Sequence, residues 1–123
     1  MLIINKIKKY KFSFSLGIII LILSLIPFQG PAGSGLLDFP HVDKLIHFIL
    51  YFTLTLAILH DSGKNLKFSD YAFAVFLSLA FGGMIELIQI SQPHRSGDIF
   101  DLLANFAGSL TAVPFYLVLR RII

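Results

Sequence analysis

The chain has 123 residues, of which 56% are hydrophobic and only 14% charged, and its mean hydropathy is +0.83. A water-soluble domain is about one quarter charged, so this chain lacks the polar groups to coat a surface facing water. The net charge of +3 is too small and too dispersed for a nucleic-acid-binding face, and the absence of cysteine excludes disulfides, thiol catalysis and thiolate-bound metals.

The hydrophobic residues gather into four runs, close to the roughly 17–25 residues that cross a bilayer. Lys6, Lys8, Lys9 and Lys11 lead into the first run, residues 12–28. The second covers residues 45–59, the third 68–90 and the fourth 99–119. Residues 29–42, QGPAGSGLLDFPHV, are rich in Gly and Pro and read as a loop. HDSGKNLK at 60–67 and SQPHRSGD at 91–98 read as short turns, which join antiparallel neighbours. The expected fold is therefore all-α, an integral membrane antiparallel bundle of four transmembrane helices, forming one membrane domain over residues 1–123. The basic lead, the first apolar run and the small residues Gly30, Ala32 and Gly33 also describe a signal peptide. The run exceeds a usual signal-peptide core, which favours a retained helix.

Charge sets the expected orientation. With the N-terminus inside, Lys6, Lys8, Lys9, Lys11, Lys64, Lys67, Arg120 and Arg121 fall on the cytoplasmic side, and only Lys44 and Arg95 fall outside. Cytoplasmic loops carry the excess of Lys and Arg, so both termini are expected in the cytoplasm.

Several polar residues interrupt the runs. Asp43, Lys44 and His47 open the second, Glu86 and Gln89 close the third, and Asp98, Asp101 and Asn105 open the fourth. In an antiparallel bundle all of them collect at the outer end, together with Arg95 and Ser96 in the joining turn. Asp43 and His47 are four residues apart, as are Asp101 and Asn105, and Glu86 and Gln89 are three apart, so each set shares a helix face. A charge at mid-bilayer costs about 2.5–3.5 kcal/mol, and such groups face a bundle interior or a cavity. The expectation is an inward-facing polar pocket open to the outside.

Four acids (Asp43, Glu86, Asp98, Asp101) against two bases (Lys44, Arg95) leave surplus negative charge there. Protonation of Glu86, charging of His47 or a bound divalent cation would relieve it. Each residue also has a plainer reading. Asp43 and Asp98 suit helix caps, Lys44 can snorkel to the interface, and His47 can be a packing residue. Gln89 and Asn105 can tie helices together, and Arg95 can be a solvated loop charge. Asp70 beside Lys67 reads as a cap or surface pair. No Gly-rich phosphate loop, HExxH or nucleophile elbow is present, and Ser96 has no base beside it. Gly82, Gly83 and Gly108 allow close helix approach, and Pro114 is expected to kink the fourth helix.

Asp43-Lys44-Leu45-Ile46-His47-Phe48 with Tyr51-Phe52, Glu86-Leu87-Ile88-Gln89, Pro93-His94-Arg95-Ser96 and Asp101-Leu102-Leu103-Ala104-Asn105 together resemble the VanZ-like family. The family pattern is DKxxHF, ExxQ, an Arg-Ser step, and DxxxN followed by Gly. The resemblance covers about residues 38–119 and carries over Asp43, Lys44, His47, Glu86, Gln89, Arg95, Asp101, Asn105 and Gly108. Departures are modest: Ala112 replaces a common second glycine, His94 replaces a common Gly, and Asp98 matches no family position.

The resemblance implies a small multi-spanning bacterial membrane protein, in a family whose namesake is linked to low-level resistance to the glycopeptide teicoplanin. The leading expectation is a plasma-membrane protein whose outer pocket engages a cell-envelope molecule, such as a lipid-linked wall precursor or a glycopeptide. One alternative is a bilayer-surface hydrolase or transferase. There His47 or Glu86 would act as acid or base, Arg95 would steady an anion, and Asp43, Glu86 and Asp101 would hold a divalent cation. The other alternative is a structural or partner-binding protein that uses the polar groups as interhelical ties.

Overall fold

The computed structural model describes residues 2–25, 42–91 and 99–122. They form five helices: α1 Leu2–Lys9, α2 Lys11–Leu25, α3 Val42–Ser62, α4 Phe68–Ile90 and α5 Ile99–Ile122, with no strand among the described residues. The third apolar run coincides with α4. The second and fourth are extended, because α3 and α5 continue past their apolar stretches through polar residues at the helix ends, including His60, Asp61, Arg120 and Arg121. α5 remains one helix through Pro114.

The basic start is itself helical. In α1, LIINKIKK, Leu2, Ile3 and Ile4 are exposed apolar residues, and Lys8 and Lys9 are exposed too. A turn at Tyr10 separates it from α2, and the Phe14 N–H donates to the Tyr10 carbonyl at 2.8 Å. A short amphipathic basic helix of this kind suits the membrane interface rather than its interior.

α3, α4 and α5 are each long and apolar enough to cross a membrane. At about 1.5 Å per residue they span roughly 30–36 Å, against a hydrocarbon core of about 30 Å. α2 has 15 residues and reaches only about 22 Å; residues 26–28 of the first apolar run lie outside the described residues. Its two ends are nevertheless tied. The Ser13 N–H and hydroxyl both donate to Asp61 Oδ2 at the end of α3, at 2.8 and 2.7 Å. Near its other end the Ser24 carbonyl accepts from Gln89 Nε2 of α4 at 2.8 Å. Asp61 thus caps an N–H in the first turn of α2 from another helix, where a negative charge suits the helix dipole. α4 starts similarly, with the Lys67 N–H donating to Asp70 Oδ2 at 2.8 Å.

Burial is arranged as in a membrane protein. Phe76 and Leu87 are 70% and 71% exposed, while Thr55, Ser78 and Ser109 are fully buried. Water would favour the reverse; hydrocarbon outside, with hydroxyls turned inside, where Thr55 and Ser78 pair, favours this one. The apolar core joins Ile20 of α2, Tyr51, Leu54, Ile58 and Leu59 of α3, and Ala74 and Ile85 of α4. α3 and α5 pack most closely, at Gly108, where an added Cβ would collide with the Phe48 carbonyl oxygen. Gly82 makes a second such place, since a Cβ there would lie 2.8 Å from Asn105 Nδ2 and 3.0 Å from Tyr51 Cε1. Gly83 faces open space.

Candidate functional site

Three helices contribute residues at four-residue spacing to one interior column. α3 supplies His47, Tyr51 and Thr55, α4 supplies Ser78, Gly82 and Glu86, and α5 supplies Asp101, Asn105 and Ser109. At that spacing side chains stand above one another on a helix face. Bringing the three faces together places polar groups where an apolar core would otherwise form.

The lower part is a hydroxyl pair. Thr55 Oγ1 donates to the Tyr51 carbonyl at 2.8 Å and lies 2.8 Å from Ser78 Oγ. Thr55 has spent its only proton on the backbone, so Ser78 donates to Thr55. Above it, the His47 and Tyr51 rings stack with planes 4° apart and centroids 6.4 Å apart. His47 Nδ1 lies 3.0 Å from Asn105 Oδ1. An amide oxygen only accepts, so Nδ1 carries the proton, and the Nε2 of a neutral ring carries a lone pair.

Nε2 faces acid. Asp101 Oδ2 lies 3.7 Å from it, and Asp101 Oδ1 lies 3.2 Å from Lys44 Nζ. Glu86 enters from α4, only 5% exposed. One donor atom from each of His47, Glu86 and Asp101 can be chosen so that all three lie within 4.8 Å of one another. Two carboxylates this close repel, and burial removes the water that would screen them, so the Lys44 ammonium beside Asp101 matters electrostatically. Exposure falls inward, from 24% for the Lys44 side chain through 15% for Asp101 to 1% for Asn105. The column therefore opens at the end where Lys44 lies.

Of the residues expected from sequence, Lys44, His47, Glu86, Asp101 and Asn105 meet here. Gln89 is buried but engages Ser24 of α2. Asp43 lies in the first turn of α3, and its side chain is outside the described residues, as are Arg95, Ser96 and Asp98 altogether. Tyr51, Thr55, Ser78 and Ser109 were not anticipated as part of a site. Their signal is the four-residue step inward, forward from His47 and Asp101 and back from Glu86. A separate groove of about 440 Å³, lined by Phe14, Ile18, Leu21, Leu54, Ile58 and Phe81, is almost wholly apolar and suits hydrocarbon.

The sequence model described as VanZ/LLP1 matches residues 2–120, nearly the whole chain. No curated protein and no solved structure matches it. A match of this extent, over helices long and apolar enough to cross a membrane, establishes that the chain is a membrane-helix protein belonging to the VanZ/LLP1 family.

Proposed function

We propose that this protein is a single four-span membrane domain of the bacterial plasma membrane, with both termini in the cytoplasm and a polar pocket at its outer face that engages a cell-envelope molecule. The first apolar run, residues 12–28 of the sequence, is the fourth span in this reading, with α2 running antiparallel to α3. The observation that carries the proposal is the meeting of Lys44, His47, Glu86, Asp101 and Asn105 at one end of the bundle. Helix adhesion alone calls for hydrogen-bonding groups of modest cost. It does not call for two carboxylates and an ammonium at a tapering opening, which are expensive in a bilayer and mark sites that handle polar ligands.

The ligand class that fits is one with a polar, anionic part at the membrane surface and an apolar part in the bilayer, as in a lipid-linked wall precursor. Lys44, with Arg95 of the sequence segment between α4 and α5, would meet the anion. A link to teicoplanin susceptibility would follow where that precursor is the antibiotic's target.

The test is a host whose envelope phenotype, such as teicoplanin susceptibility, responds to expression of the chain. Glu86→Gln, Asp101→Asn and Arg95→Ala should each abolish the response at unchanged membrane abundance, while Leu87→Ala on the lipid face should retain it. Retention of the response in all three would refute the pocket.

A further inference from the structure

His47 is held as a metal-binding histidine is held. Its Nδ1–H is committed to the Asn105 amide oxygen at 3.0 Å, which in the neutral ring makes Nε2 the lone-pair atom and fixes the direction in which it points. Imidazoles that ligate metals almost always donate their other N–H to such an oxygen. Nε2 then faces Asp101 Oδ2 at 3.7 Å, beyond hydrogen-bonding range. Two ligand atoms bound to one tetrahedral ion by bonds of about 2.1 Å sit roughly 3.4 Å apart.

The third donor comes from α4. With the chosen atoms of His47, Glu86 and Asp101 all within 4.8 Å of one another, no pair needs to close by more than about 1.4 Å to meet an ion, within the reach of a carboxylate rotation. Charge agrees with geometry, since two carboxylates and a neutral imidazole carry two negative charges, of which the Lys44 ammonium offsets only one, and a divalent cation would answer both. A second observation lies in the wall of the cluster. Asn105 is 1% exposed, and its Nδ2 has no hydrogen-bond partner among the described residues. It sits over Gly82, one helical turn from Glu86, where only a residue without a Cβ leaves room. A buried donor left over on the side chain that holds His47, one helical turn from Glu86, suits an oxygen brought in by a further ligand.

We propose that His47 Nε2, Glu86 and Asp101 bind a divalent cation of the zinc class, and that Asn105 is the positioning residue that sets the imidazole. An imidazole with two carboxylates favours zinc-type ions over magnesium or calcium, which prefer all-oxygen shells. Three protein ligands leave a fourth position for an outside oxygen. In the ion's absence the Lys44 ammonium answers Asp101; with the ion bound, Lys44 is released toward an anionic ligand. What the ion would hold rests on the pocket reading above, whereas ion binding itself does not.

The test uses the full chain in nanodiscs, stripped of metal, with Zn²⁺ alone as the calorimetric probe and Co²⁺ as the spectroscopic one. One equivalent should bind per chain, and Co²⁺ should give visible absorption from a four- or five-coordinate nitrogen-oxygen site. His47→Gln, Glu86→Gln and Asp101→Asn should each weaken binding at least about tenfold, and Asn105→Ala by about 10- to 100-fold. Joint replacement of His41, His60 and His94 by Gln should change nothing. Absence of saturable binding by the unaltered chain overturns the proposal without recourse to any variant. So does binding that survives the three ligand substitutions, or that disappears when the other histidines are replaced. A chain that binds no ion yet loses its envelope phenotype in Glu86→Gln would remove the metal and leave the pocket standing.

Discussion

His47 on α3 and Asn105 on α5 lie 58 positions apart in sequence and 3.0 Å apart at Nδ1 and Oδ1. This pair ties α3 to α5 and, in the neutral ring, puts the imidazole proton on Nδ1. Hydrogen bonds between membrane helices contribute less than their burial suggests, because an unfolded chain in the bilayer also finds partners. A double-mutant cycle on His47→Ala and Asn105→Ala, followed by unfolding in mixed micelles, should give a coupling of about 0.6–1.7 kcal/mol. Additive effects of the two substitutions would mean that the bond does not form in the membrane.

The glycines separate close approach from mere smallness. Gly108→Ala pushes a methyl into the Phe48 carbonyl, which is backbone and cannot rotate away. It should destabilise the protein by about 1–3 kcal/mol, the usual range for overpacking. Gly83→Ala meets nothing within 4 Å and should be neutral or stabilising by up to about 1 kcal/mol through helix propensity. Thermal unfolding of both variants in detergent checks the contrast.

Asp61 is expected to hold α2 in place. Its side chain is only 6% exposed and accepts from both the N–H and the hydroxyl of Ser13. Asp61→Ala should cost about 0.5–2 kcal/mol, the range for loss of an N-terminal cap. It should also raise amide exchange in the first turn of α2 while leaving α5 unchanged. Equal protection of that turn in both proteins would show that α2 is held some other way.

Much of this was legible from residue order because the bilayer makes polar residues conspicuous. Glu86 and Asp101 in apolar runs had to face inward, and alternating helix direction brought them to one end. What escaped were groups whose cost is small or whose partners are distant. Thr55, Ser78 and Ser109 are unremarkable in a membrane helix, since a hydroxyl can bond back to its own turn, as Thr55 does to Tyr51. Gln89 shares a face with Glu86, yet its amide reaches the Ser24 carbonyl 65 positions away, and no spacing rule announces a backbone acceptor. The turn at Tyr10 that divides α1 from α2 has no Gly or Pro to mark it. Asp61, inside a stretch rich in turn residues, belongs instead to the last turn of α3 because the helix continues to Ser62.

The central claim, a polar column that opens to water at the outer membrane face, is tested most directly by thiol labelling. The chain contains no cysteine, so a single introduced cysteine reports alone. Maleimides react with thiolate, which forms in water and not in hydrocarbon. With a membrane-impermeant maleimide added to intact cells, Lys44→Cys and Asp101→Cys should be labelled readily, and Leu87→Cys, 71% exposed but toward lipid, should not. Labelling of Lys44→Cys and Asp101→Cys only after the cells are opened, or no faster than Leu87→Cys, would contradict the account.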